Sequence, residues 1–112
     1  MKKVDIIVRP HMLERVRGAL TAVGIQGVTV AEIKGFGRQK GATDLFRGTE
    51  HSITFNPKVR LEAVIPDTML AKTMQAAEEA ARTGRIGDGK IMVTEVLDVV
   101  RIRTDETGDA AI

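Results

Sequence analysis

The stretch Arg82-Thr83-Gly84-Arg85-Ile86-Gly87-Asp88-Gly89-Lys90-Ile91-Met92-Val93-Thr94-Glu95-Val96 decides the fold. From Gly84 to Lys90 it fits G-x-x-x-x-G-K, the spacing of a phosphate-binding P-loop. A P-loop continues with Ser or Thr, to hold magnesium, and then with a helix. Here Ile91 follows, and residues 91–96 read as a strand. That excludes a P-loop ATPase and leaves a glycine-rich turn between a helix and a strand. The turn still suits an anion. Glycines let backbone N–H groups approach a ligand, and successive N–H groups can form an anion-binding nest. Arg82, Arg85 and Lys90 flank the glycines, with Arg101 and Arg103 further on. Arg offers a planar fork for phosphate oxygens and Lys a point charge. The plainer reading, a turn with solvated charges, stays open at this point.

Upstream of the turn, residues 69–82 read as a helix with Leu70, Met74, Ala77 and Ala81 on one stripe. Pro66-Asp67 punctuates its start, and Asp67 is the expected cap. Before it, Val59-Arg60-Leu61-Glu62-Ala63-Val64-Ile65 alternates as a half-buried strand. The first half of the chain repeats this order. Residues 4–8 are apolar apart from Asp5 and read as a buried strand. Pro10 can open a helix, Leu13, Val16, Leu20 and Val23 recur at helical spacing, and Gly24 stops it. Residues 28–33 form the second strand. After residues 91–96, a further short strand is expected over 97–102, and the small, polar tail 104–112 is expected to fray. The order β-α-β, long loop, β-α-β defines an α+β, ferredoxin-like split βαβ sandwich in a single domain.

Between the halves, residues 37–56 show no sustained core periodicity. Loops longer than about 12–15 residues are commonly functional. This one carries cations (Arg38, Lys40, Arg47) beside apolar Leu45, Phe46, Ile53 and Phe55. That mixture suits docking onto a partner, with a hairpin arm packed on a neighbouring subunit as the alternative. Gly35-Phe36-Gly37-Arg38-Gln39-Lys40-Gly41 follows a strand as a dinucleotide fingerprint does, but its last glycine comes one position late and no amphipathic helix follows.

The 112 residues suit one domain, and a chain this short gains burial from association. A net charge of +2 does not argue for nucleic acid. The absence of cysteine excludes disulfides and thiolate metal sites. With no apolar run of membrane-spanning length and no leader-like start, the chain is expected in the cytoplasm.

Four stretches carry a family resemblance: Lys34-Gly35-Phe36-Gly37-Arg38-Gln39-Lys40-Gly41, Phe46-Arg47-Gly48-Thr49-Glu50-His51, residues 81–93, and Val99-Val100-Arg101-Ile102-Arg103-Thr104. Together with Glu106-Thr107-Gly108 they resemble the PII signal-transduction proteins over nearly the whole chain. The resemblance implies a homotrimer that binds ATP or ADP in clefts between subunits. It also implies that 2-oxoglutarate binds with magnesium-ATP at the base of the long loop, the family's T-loop, here about 37–55. Docking that loop would regulate an ammonium transporter or other nitrogen-metabolism enzymes and regulators, so that the membrane is reached only through a partner.

The same resemblance assigns roles to individual residues. Gly87, Asp88, Gly89, Lys90, Arg101 and Arg103 match its phosphate-binding positions, with Arg38 reaching in from the loop base. Ile7, Thr29, Glu62 and Val64 match positions around the adenosine, and Gly35, Gly37 and Gln39 complete the nucleotide set. Gln39, Lys40, Gly41 and Lys58 match the 2-oxoglutarate site; Gln39 would ligate magnesium and Lys58 would pair with a carboxylate. Phe46 and Arg47 match the docking tip, Arg47 being the residue inserted into a channel pore. Phe46 and His51 stand where the family's modification motif carries tyrosines, and this chain has no tyrosine at all. Nucleotidylation by the usual route is therefore not expected, whereas signalling by ligand binding survives the change. Thr49 keeps a hydroxyl where some relatives are phosphorylated, and Met92 replaces an aromatic residue. Two rivals stand beside this reading. A weak ATPase of the same fold lacks an obvious base to position water. An RNA-binding module needs exposed sheet aromatics, and this chain has three Phe and no Tyr or Trp.

Overall fold

The computed structural model describes residues 1–36 and 55–112. Alternation and helical stripes become a β-α-β, β-α-β order: β1 (Lys2–Val8), α1 (Leu13–Ala22), β2 (Thr29–Gly35), β3 (Asn56–Ile65), α2 (Leu70–Ala81) and β4 (Lys90–Glu95). Among the described residues these strands make one antiparallel sheet in the order β2-β3-β1-β4. This is the ferredoxin-like double βαβ fold expected.

The strand alternation sorts two faces. Val4, Ile6 and Val8 of β1 and Val59, Leu61, Ala63 and Ile65 of β3 are buried, in one cluster with Val16 and Leu20 of α1 and Ala77 and Ala81 of α2. Burying such side chains contributes roughly 1.5–3 kcal/mol each for the larger ones, which is the main term holding helices to sheet. The intervening residues point to the opposite face. There Thr29, Glu62, Asp5 and Met92 line up as cross-strand neighbours, and Ala31, Arg60, Ile7 and Lys90 form the next row.

Helix α1 ends as its sequence predicts. Gly24 sits at φ 103°, its N–H donates to the Thr21 carbonyl at 3.0 Å, and the Ile25 N–H donates to the Leu20 carbonyl at 3.1 Å. Two orphan carbonyls are thereby satisfied, as in a Schellman cap.

Four expectations change. Asp67 makes no capping hydrogen bond; it opens a 3₁₀ turn, Asp67–Met69, and its carboxylate takes the N-terminal ammonium at 3.0 Å. A full charge outcompetes a neutral backbone donor for that carboxylate. On α2, Thr73 rather than Met74 is buried, fully so, and its hydroxyl has no hydrogen-bond partner. Residues 97–102 do not form a strand: they make a single bridge, Val100 to Thr107, and leave Leu97 and Ile102 at 94% and 95% exposure. Among the described residues the segment pairs with neither edge of the sheet, β2 or β4. The tail expected to fray is instead tied back. The Gly108 N–H donates to the Val99 carbonyl at 3.1 Å, and Ala111, in the turn Gly108–Ala111, is buried.

Candidate functional site

The glycine stretch folds as a knot around one carboxylate. Asp88 Oδ2 accepts from the Thr83 N–H at 2.7 Å and the Gly84 N–H at 2.8 Å. The Thr83 hydroxyl donates to Asp88 Oδ1, and Arg9 Nη1 donates to the same oxygen at 2.9 Å. These donors, the Thr83 hydroxyl first, hold the Asp88 carboxyl well below the usual carboxylate range, against a smaller opposing effect of burial. Gly84, Gly87 and Gly89 adopt φ of 84°, 103° and 98°, values that only glycine reaches without strain. Gly89 is required a second time. A Cβ there would lie 1.7 Å from the Ile7 carbonyl oxygen, so the turn packs directly against β1.

The knot forms one wall of an open cleft of about 640 Å³. Ile7, Gly35, Lys58, Gly87, Asp88, Gly89 and Lys90, all expected site residues, line it. Register explains the meeting: Ile7 and Lys90 are paired across β1 and β4, and Lys58 is paired with Ile33 across β3 and β2. Lys58 Nζ donates to the Gly87 carbonyl at 3.0 Å. Burial lowers its pKa, Arg9 adds repulsion, and Asp88 partly offsets both. Backbone turns at positive φ with Lys90, Lys58 and Arg85 around them are a donor set that fits phosphate oxygens.

The other expected residues lie elsewhere. Thr29 and Glu62 face each other across β2 and β3 on the open side of the sheet. Val64 lines a second cleft, of about 360 Å³, with Gly27 and Ile112. Arg101 is on the C-terminal segment, where it donates to Glu106 at 3.2 Å and to the Ile112 oxygen at 3.1 Å; Arg103 is exposed nearby. Neither arginine lines the glycine cleft. Gly37, Arg38, Gln39, Lys40, Gly41, Phe46, Arg47, Thr49 and His51 lie outside the described residues. So does the only side chain expected to ligate magnesium, and the described residues contain no cluster of His, Asp or Glu that would hold a metal by itself.

Two features were not anticipated. Arg9 reaches the turn from 79 residues away, and no local pattern announces that. Phe36 and Phe55, at the ends of the described chain on either side of the long loop, form an edge-to-face pair with ring centroids 5.4 Å apart. Their placement at matching ends of β2 and β3 would have suggested it, since a hairpin-like pairing brings the two ends together.

Fold and cleft together define a class: a small ferredoxin-like domain carrying a cationic glycine-turn cleft. Comparison with known proteins narrows it. A family model described as nitrogen regulatory protein P-II matches residues 1–106. The chain is 54% identical over all 112 residues to a nitrogen regulatory protein P-II of Azospirillum brasilense, covering the whole of both chains. It is 51% identical over the same full length to one of Rhodospirillum rubrum. Identity is 54%, again over the whole of both chains, to nitrogen regulatory protein P-II 1 of Escherichia coli. The chain belongs to the nitrogen regulatory P-II family, whose members are signal transducers and not enzymes. Among the described residues, no helix is long and apolar enough to cross a membrane.

Proposed function

We propose that this chain is a cytoplasmic reporter of nitrogen and carbon status. It assembles as a homotrimer, binds ATP or ADP between subunits, takes 2-oxoglutarate with magnesium at the loop base, and regulates a partner by docking the loop. The observation that carries this reading is the separation of the expected nucleotide contacts within one subunit. Ile7, Gly35 and residues 87–90 share one cleft, while Thr29, Glu62, Val64, Arg101 and Arg103 sit outside it. A second copy of the chain would bring both groups onto one ligand. Leu97 and Ile102, exposed on the segment that carries the arginines, supply apolar surface for that association.

On this reading Lys90 is a point charge for the nucleotide phosphates, and Arg101 and Arg103 bring guanidinium forks from the neighbouring copy. Arg38 adds a contact from the loop. Magnesium, when bound, supplies charge neutralisation between phosphates and 2-oxoglutarate, with Gln39 as its protein ligand. Lys58, which already faces the turn, would take a 2-oxoglutarate carboxylate, with Gln39, Lys40 and Gly41 wrapping the ligand. Engaging both ends of the loop restricts where Phe46 and Arg47 reach. A partner that prefers the ligand-free loop must then weaken 2-oxoglutarate binding by the same factor. The favoured partner is an ammonium transporter, through Arg47.

Calorimetric titration with ADP and magnesium-ATP, each with and without 2-oxoglutarate, tests the reading. Magnesium-ATP should raise 2-oxoglutarate affinity, and ADP should not. Lys90→Ala should lower ATP affinity at least about tenfold, the effect of losing one charge-assisted hydrogen bond. Membranes containing the transporter should retain the protein under ADP and release it under magnesium-ATP with 2-oxoglutarate. Unchanged binding in Lys90→Ala removes the site assignment, and equal retention removes the loop as output device.

A further inference from the structure

We infer that Arg9 is a positioning residue for phosphate binding, setting the direction of the Gly87 N–H without touching the ligand. The inference rests on the proposed nucleotide reading and adds to it a residue on the far side of the turn. Arg9 Nη1 donates to Asp88 Oδ1 at 2.9 Å, and Nη2 donates to the Ile86 carbonyl at 2.7 Å. One planar fork thus grips the turn on both sides of Gly87, a geometry that a single ammonium cannot reproduce. The Arg9 side chain is only 16% exposed. It lines a neighbouring concavity with His11 and Thr83, which shares Arg85 and Ile86 with the cleft, and does not itself line the cleft that holds Gly87 and Lys90.

The direction follows from the peptide bond. The link between Ile86 and Gly87 is trans, so the Ile86 carbonyl and the Gly87 N–H point opposite ways. With that carbonyl drawn outward to Arg9, the N–H is turned inward, toward the cleft. Gly87, at φ 103°, has no side chain to resist rotation of this peptide, so the direction must be imposed from outside. Asp88 cannot impose it alone, because its bonds to Thr83 and Gly84 close the turn at the other end. On the inner side Lys58 holds the next carbonyl, that of Gly87. Consecutive peptides are therefore clamped from opposite sides, which fixes the backbone path that a phosphate would meet.

A residue that aims a phosphate donor affects phosphorylated ligands alone. ADP binding by calorimetry and adenosine binding by ligand-observed NMR are compared for the wild type, Arg9→Lys and Arg9→Gln. The Gly87 amide resonance is followed in the same samples. The expected result is a loss of ADP affinity of about tenfold in Arg9→Gln, the size of a charge-assisted bond lost through misalignment. Arg9→Lys keeps one contact and should fall between. Adenosine binding should stay level throughout, and the ADP-induced shift of the Gly87 amide should shrink in step with affinity. Equal losses for ADP and adenosine mean a merely structural role and overturn the inference, as does an Arg9→Gln protein that binds ADP like the wild type. A wild type that binds no ADP overturns the proposed function, and this inference with it.

Discussion

Replacing Gly89 by alanine tests how tightly the glycine turn is locked to the sheet, and Gly84 provides the control. Both residues have positive φ, 98° and 84°, so either alanine carries backbone strain of about 1–2 kcal/mol. They differ in their surroundings. A Cβ on Gly84 meets nothing within 4 Å, whereas one on Gly89 would stand 1.7 Å from the Ile7 oxygen and 2.8 Å from its carbonyl carbon. Those atoms are backbone of β1 and cannot rotate aside. Relief requires β4 to lift from β1 at the pair Ile7 and Lys90, where the ladder ends. Losing the pairing there adds about 1–2 kcal/mol, so Gly89→Ala should cost about 2–4 kcal/mol in all. With an m-value of about 2 kcal/mol per molar, the urea midpoint should fall by roughly 1–2 M for Gly89→Ala and roughly 0.5–1 M for Gly84→Ala, about twice as far for the residue that clashes. Protein concentration must be held fixed, because association contributes to apparent stability. Equal midpoints for the two variants would refute the reasoning, since both carry comparable backbone strain and only Gly89 carries the clash.

Thr73→Val should raise stability by about 1 kcal/mol in the same urea assay, because the native hydroxyl is fully buried without a partner; a lower midpoint would mean that the hydroxyl is satisfied in solution. The folded pKa of Asp88 lies below its unfolded value, so its contribution is present above about pH 4 and is lost as pH falls through the folded pKa. The Thr83 and Gly84 amide shifts should accordingly stay flat through the ordinary aspartate range and move only at lower pH; a midpoint at or above about 3.9 contradicts the knot. Leu97→Glu and Ile102→Glu should each convert the proposed trimer to monomer in sedimentation while leaving the far-ultraviolet circular dichroism intact, since both side chains are almost fully exposed. Sedimentation like the wild type would remove the C-terminal segment from the interface.

The fold was legible where one physical demand governs a whole segment. Strict alternation over 59–65 can satisfy only a strand with one buried face, and β3 has that pattern of burial. Gly24 marked a helix end because the cap needs positive φ. Reading failed where a residue's role is set by something distant. Asp67 has the chemistry of a cap, but a charge from the start of the chain claims it. Residues 97–102 are as apolar as a strand, yet apolar pattern records burial without saying against what. A surface waiting for another copy and a strand in a sheet look alike in one dimension. Of the site, the cleft residues from Gly87 to Lys90 were found because glycines and cations cluster in sequence. Arg9 was missed because its partner is brought to it only by the pairing of β1 with β4.

That pairing also bears on how two ligands can communicate. Gly87 is held between Arg9, acting through the Ile86 carbonyl, and Lys58, acting through its own carbonyl at 3.0 Å. On the proposed reading the outer clamp aims a phosphate donor, while the inner clamp is the cation that a 2-oxoglutarate carboxylate would claim. A carboxylate drawing Lys58 away must replace the Gly87 carbonyl as acceptor, and it does so more readily if that carbonyl has found another arrangement. Nucleotide phosphates at the turn would provide one, by fixing the adjacent N–H groups. Burial and the nearby Arg9 already disfavour charge on Lys58, so an arriving carboxylate meets an ammonium that gains from a new anionic neighbour. On that reading the coupling would require no long pathway, because the two proposed sites meet at Gly87, one at its N–H and the other at its carbonyl. By linkage it acts equally in both directions, so whatever nucleotide does to 2-oxoglutarate affinity, 2-oxoglutarate must do to nucleotide affinity.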